Sequence, residues 1–90
     1  MTAVAAVRHQ VADYAAWRVI YESLEPLRLQ HGCTAKLVSQ APGDPNDIFI
    51  VHEFPSVADA EAFAGSNDLK EGMQKAGVLG PPRIEIYEKA

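Results

Sequence analysis

The ninety-residue chain has a single cysteine, Cys33, so no disulfide can form within it and a cytoplasmic setting is expected. Cationic residues are also scarce: 8 Lys and Arg stand against 12 Asp and Glu, for a net charge of −4. Phosphate binding needs the opposite balance, so nucleic acid is not an expected partner. No apolar run reaches the roughly 18 residues a membrane helix requires, and no membrane partner is expected either. The opening Met-Thr-Ala-Val-Ala-Ala-Val is apolar but short and lacks a basic start, so it does not read as a signal peptide. The six glycines are scattered, and neither Gly65 nor the pair Gly77 and Gly80 follows a strand as a phosphate loop would.

What is present is an ordinary globular composition, 48% hydrophobic and 22% charged, enough for one thin-cored domain over residues 1–90. The most strand-like stretch is Asp47-Ile48-Phe49-Ile50-Val51-His52-Glu53-Phe54. A half-exposed strand alternates apolar and polar residues, whereas Ile48 to Val51 are all apolar, so this strand is expected to be central and covered on both faces.

Along the chain, residues 3–11 read as a first strand. Asp13 is placed to cap a helix whose apolar face carries Tyr14, Trp17, Ile20, Tyr21, Leu24 and Leu27 at three- and four-residue spacing. Pro26 predicts a kink in it, and Gly32 its end. Residues 33–41 read as an edge strand. Pro42 to Asn46 then reads as a hairpin loop too long for a two-residue turn. Ser56 predicts a helix start, Gly65-Ser66-Asn67 a break, and a second helical piece follows over about 68–76, closed by Gly77. Gly80-Pro81-Pro82 reads as a rigid connector into a last strand over 83–88.

The order βαββαβ implies an α+β, ferredoxin-like domain: a four-stranded antiparallel sheet with its helices on one face. The first and third strands are expected side by side in the centre, running parallel. Helices cover one sheet face, and ninety residues leave nothing for the other. A second copy of the chain is the natural cover, giving a homodimer with a barrel-like centre, a dimeric α/β barrel.

Several stretches also carry a resemblance. They are Arg8-His9-Gln10-Val11 with Ala12-Asp13-Tyr14-Ala15-Ala16-Trp17-Arg18, Asp44-Pro45-Asn46-Asp47, Glu53-Phe54, and Met73-Gln74-Lys75-Ala76-Gly77-Val78. Together they resemble small proteins of the dimeric α+β barrel superfamily, closest to the antibiotic-biosynthesis-monooxygenase-like group, some of whose members are labelled "cyclase". The resemblance implies a homodimer with a cavity between sheet and helices in each subunit. Its activities range from cofactor-free oxygenation of aromatic polyketides through isomerisation to haem-dependent chemistry, so it specifies fold more than reaction.

His9 and His52 are the candidate catalytic residues, each near the C-terminal end of a central strand and able to move protons near neutral pH. Trp17 and Tyr21, one helical turn apart, are the candidate aromatic wall, with Ile20 and Leu24 closing the pocket and flexible Met73 at its mouth. The same histidines are as readily ordinary buried ones, and the same aromatics plain core. Glu53 and Glu85 read as solvated or paired with Lys36 or Arg83. His9, His31, His52 and Glu53 show no metal-binding spacing, so neither metal nor other cofactor is expected. Cys33 reads as a small buried residue rather than a nucleophile. Two functions remain open. One is a cofactor-independent, monooxygenase-like or cyclase-like enzyme acting on a small aromatic, polyketide-like molecule. The other is a non-catalytic, stress-related or ligand-sequestering dimer.

Overall fold

In the computed structural model, which describes residues 2–90, β1 (Ala3–Val11) leads through α1 (Tyr14–Ser23) and α2 (Glu25–Gln30) to β2 (Ala35–Ala41) and β3 (Asp44–Phe54). Helices α3 (Val57–Ala64) and α4 (Asn67–Lys75) then precede β4 (Val78–Glu88). The strands form one sheet in the order β2-β3-β1-β4, the ferredoxin-like α+β arrangement.

Every neighbouring pair is antiparallel, β1 and β3 included, which corrects the parallel pairing expected from sequence. The reason is topological. The helical crossover returns the chain so that β2 runs with β1. The β2–β3 hairpin then reverses it, and β3 enters between them pointing the other way. In the resulting register His9 faces Ile48 and His52 faces Ala5. The C-terminal ends of β1 and β3 therefore lie at opposite ends of the sheet. The two histidines are four residue pairs apart, about 13 Å along the strands.

The pleat sends Ala3, Ala5, Val7, His9 and Val11 of β1, and Ile48, Ile50, His52 and Phe54 of β3, under the helices. The other face bears Val4, Ala6, Leu37, Phe49, Val51 and Tyr87 on adjoining strands. Within one chain that face is uncovered: Leu37, Phe49 and Tyr87 are 60%, 44% and 57% exposed. The apolar run in β3 is thus buried on one side only by its own chain.

Local chemistry explains the joints. Asp13 accepts the Ala16 N–H, Ser56 that of Asp59, and Ser66 that of Leu69, one side-chain cap for each of α1, α3 and α4. Gly65 and Ser66 split the second helical stretch as expected. The first is not kinked but broken at Leu24, leaving Pro26 in the first turn of α2, where its missing N–H costs nothing.

The hairpin is tighter than expected. Pro42 and Gly43, with φ +84° at Gly43, form a two-residue connection, and the irregularity moves into a bulge where Ala41 pairs with Asp44 but Gln40 with Ile48. Gly80-Pro81-Pro82 is likewise not a connector but part of β4. An edge strand tolerates proline where its N–H would face solvent, and a bulge between Arg8 and Gln10 absorbs the change in register.

Gly32 ends the first helical stretch at φ +84°, and a Cβ there would stand 3.2 Å from Pro55 Cδ. Gly32→Ala is expected to lower unfolding free energy by about 1–2 kcal/mol through left-handed strain, read as a shifted urea midpoint at unchanged slope. An unshifted midpoint would contradict this.

Candidate functional site

Helix α1 lies across the two central strands and sets its aromatic face on their inward histidines. Spacing does this: Trp17 and Tyr21 are one turn apart, and both are buried. The result is a row of rings. His9 meets Trp17 edge-on at 5.7 Å between centroids, Trp17 stacks on Tyr21 at 4.8 Å, and Tyr21 stacks on His52 at 5.9 Å. Phe63 of α3 then closes the row edge-on against His52 at 5.6 Å. The Tyr21 hydroxyl and His52 Nε2 are hydrogen-bonded at 2.8 Å.

Beside this row is a cavity of about 40 Å³, room for about three water molecules. Its wall includes His9, Trp17, Ile20, Tyr21, Leu24, His52 and Met73, so the structure brings all seven sequence-derived candidates together. Both histidines reach this wall, from opposite ends of the ring row, because both inward pleats face the helix that spans them. The rest of the wall is Val7, Ile50, Phe63, Leu69, Gly72, Ala76 and Arg28.

Arg28 is the residue that sequence reasoning missed. It is 2% exposed, and its guanidinium lies 4.0 Å above the Tyr21 ring centroid. Its Nη1 donates to the Tyr21 carbonyl at 2.8 Å. The signal was available: position 28 is seven residues, two helical turns, after Tyr21, which makes Arg28 a lone charge on an otherwise apolar face.

Several buried polar atoms of this wall have no hydrogen-bond partner: both ring nitrogens of His9, Nδ1 of His52, and Nε and Nη2 of Arg28. Burial lowers the pKa of His9. Burial first, then the cations Arg28 and Lys36, push His52 down to about 4. Burial drives the Tyr21 hydroxyl up to about 12, so it holds its proton. At neutral pH both imidazoles are therefore uncharged; His9 has one nitrogen free to accept a proton, whereas the basic nitrogen of His52 is free only in the tautomer whose Nε2–H donates to the Tyr21 hydroxyl.

The other sequence candidates lie elsewhere. His31 packs edge-on against Phe63 without joining the row. Glu53 pairs with Lys89 at 3.0 Å and Glu85 with Arg83 at 3.1 Å, both on the outer sheet face. Burial raises the pKa of the Cys33 thiol, which keeps it protonated. Among the described residues no three His, Cys, Asp or Glu side chains gather at metal-binding range. Among the described residues no helix is long and apolar enough to cross a membrane.

The lowered His52 pKa has a consequence for stability. The unfolded chain takes up a proton at His52 below about pH 6.5, whereas the folded chain does so only near 4. The His52 contribution is thus complete above pH 6.5 and lost as pH falls toward 4, on the order of 3 kcal/mol in all. Urea midpoints measured from pH 7 to 4 are expected to fall more steeply for the natural chain than for His52→Gln. Parallel curves would show that His52 titrates normally.

No family model and no curated protein matches the sequence; the likeness to known proteins is in three dimensions. A candidate antibiotic biosynthesis monooxygenase from Bordetella bronchiseptica superposes with a TM-score of 0.81, over 99% of this chain and 97% of that one, at 17% identity. SnoaB of Streptomyces nogalater, described as a cofactor-independent oxygenase, gives 0.80 over 99% and 93% at 6% identity. A further antibiotic biosynthesis monooxygenase gives 0.72 over 100% and 99% at 16% identity. At such identities the agreement is one of backbone and not of side chains, and the conclusion it supports is that this chain has the fold of the antibiotic biosynthesis monooxygenases.

Proposed function

We propose that the protein is a cofactor-independent, monooxygenase-like enzyme of the cytoplasm that oxidises a small aromatic, polyketide-like molecule in the cavity between sheet and helices. One observation carries the reading: a cavity, apolar but for Arg28, lined by a hydrogen-bonded Tyr21–His52 pair at one end and by a second buried imidazole, His9, at the other. The fold shared with SnoaB agrees with it. Without a cofactor the substrate itself is the reductant. A CH₂ held between conjugated groups loses a proton, and the resulting carbanion gives electrons to O₂. One oxygen atom ends in the new carbonyl and the other in water: R₂CH₂ + O₂ → R₂CO + H₂O. A neutral imidazole of His9 or His52 takes the proton, Tyr21 holds His52 in place, and Trp17 stacks on the substrate ring.

A volume of 40 Å³ does not hold a polycyclic molecule; ligand pockets span roughly 300–1,000 Å³. Leu24 and Gly72 also border a surface groove of about 490 Å³ between α1, α2 and α4. Met73 borders another cleft of about 200 Å³. Rotation of Leu24 or Met73, both flexible and only partly buried, would join the cavity to these spaces. The same limit of volume applies to the second reading, a non-catalytic dimer that sequesters a small ligand.

The two readings separate on activity. Under air, with an anthrone as substrate, the enzyme is expected to consume O₂ and yield a product with one oxygen more and two hydrogens fewer. His52→Ala or His9→Ala should slow turnover by about a hundredfold or more. If both variants keep the fold and full turnover, histidine catalysis is excluded. If no product forms while Trp17 fluorescence still reports binding, the sequestering dimer is the better account.

The uncovered apolar face supports assembly with a second copy. Leu37, Phe49, Val51 and Tyr87 form its centre, and the Arg8–Asp47 ion pair at 3.1 Å stands at its margin. A monomer rarely leaves such a contiguous patch in water. Light scattering at micromolar concentration is expected to give twice the 9.8 kDa chain mass, and Phe49→Asp to give the single mass. A stable, monodisperse natural monomer would refute the assembly.

A further inference from the structure

The wall of the cavity carries one fixed charge. Arg28 is its only Lys, Arg, Asp or Glu, and the histidines beside it are neutral. Arg28 also lines a cleft of about 310 Å³ with Glu25, Leu29, Cys33 and Lys36, so its side chain lies between the inner cavity and that cleft. Nη1 is spent on the Tyr21 carbonyl. The two donors without partners, Nε and Nη2, belong to the same edge of the guanidinium, and their N–H bonds point the same way. That edge is the fork that receives the two oxygens of a carboxylate side by side.

The chain does not supply such a carboxylate. Glu25 comes to 3.8 Å from Nη2, beyond hydrogen-bonding distance, while the same oxygen bonds Lys36 Nζ at 2.8 Å. Glu22 is held by Arg18 at 2.7 Å. Around Tyr21, Arg18, Arg28 and Lys36 thus face only Glu22 and Glu25, three cations against two carboxylates. A buried guanidinium with an idle fork is costly unless something completes it.

We propose that Arg28 is the receptor for a carboxylate on the ligand, so that the substrate class is a small aromatic acid, its ring held beside Trp17 and Tyr21 and its carboxylate on the Nε/Nη2 fork. This inference rests on reading the cavity as a ligand site. A ligand that brings its own negative charge completes Arg28 and brings the local charge to balance. Glu25 is its internal competitor, one side-chain rotation away from the same fork.

Benzoate and its neutral isostere benzamide test this, titrated at pH 7 with Trp17 fluorescence as readout. Benzoate is expected to bind at least about tenfold more tightly than benzamide, as a charge-assisted fork requires. Arg28→Met should abolish the difference, and Arg28→Lys, a point charge without the fork, should keep only part of it. Glu25→Gln, at a half-buried position whose side chain is 43% exposed, should tighten benzoate binding and leave benzamide unchanged. Equal affinity for the two probes in the natural chain would overturn the carboxylate receptor and leave the ligand site standing. Binding of neither, by fluorescence and by calorimetry, would overturn both. Weaker benzoate binding in Glu25→Gln would overturn the competition and, with it, the assignment of the free fork.

Discussion

The hydrogen bond between the Tyr21 hydroxyl and His52 Nε2 joins the first helix to the strand at the heart of the sheet, and the surrounding structure serves to keep it dry. A phenol and an imidazole taken out of water each need a partner, and an orphaned group costs about 1–3 kcal/mol. Each is the other's partner, so register and helix position are fixed together. If α1 slid by one turn, Tyr21 would lose His52 and Trp17 would lose its stack. The neighbours follow from this. Trp17 fills the space toward His9, Phe63 seals the far side of His52, and Arg28 lies over the open face of the Tyr21 ring.

The parts of this arrangement that sequence made legible are the local ones. Helical spacing put Trp17, Ile20, Tyr21 and Leu24 on one face; the sequence singled out His9 and His52 but not the sheet face they occupy, which the structure shows to be the inward one. Caps at Asp13 and Ser56 and the break at Gly65-Ser66 are chemistry of four or five adjacent residues. What escaped depends on the whole chain. The direction of β3 relative to β1 is set by the crossover and the hairpin jointly, and a strand's own residues say nothing about it. Pro81 and Pro82 look like strand breakers until β4 proves to be an edge. Pro42 to Asn46 reads as a loop too long for a two-residue turn because the surplus residues, which sit in a bulge of β3, look like part of the turn.

Arg28 and Pro26 belong to one account. A continuous helix would tie each carbonyl to the N–H four residues on, but Pro26 has none to offer and the helix stops at Leu24. The Leu24 N–H at the break is shared between the Ile20 and Tyr21 carbonyls at 3.2 Å each. Ser23 Oγ adds a bond to Ile20 at 2.6 Å, and Arg28 Nη1 one to Tyr21 at 2.8 Å. A kink expected from proline is thus a break, and beside it a charged side chain turns into the core. Leu24 lies between the two helices, packed against Gly72, where a Cβ would come within 2.7 Å of Leu24 Cδ1.

The same cation limits what the histidines can do. His52 gains a proton against burial and against the charges of Arg28 and Lys36, so an imidazolium there is opposed twice over. His9, at the other end of the ring row, is opposed by burial alone. Of two otherwise similar bases, His9 is therefore the better proton acceptor, and His52 is better suited to hold the Tyr21 hydroxyl by a neutral hydrogen bond. A cavity with one fixed cation, no fixed anion and neutral bases stabilises negative charge that forms or arrives in it more readily than it creates that charge by force. On the proposed reading, chemistry at this site would begin with a substrate already acidic, its anion held near Arg28 and its proton passed to His9, with the ring row supplying the apolar surface on which the reacting carbon would rest.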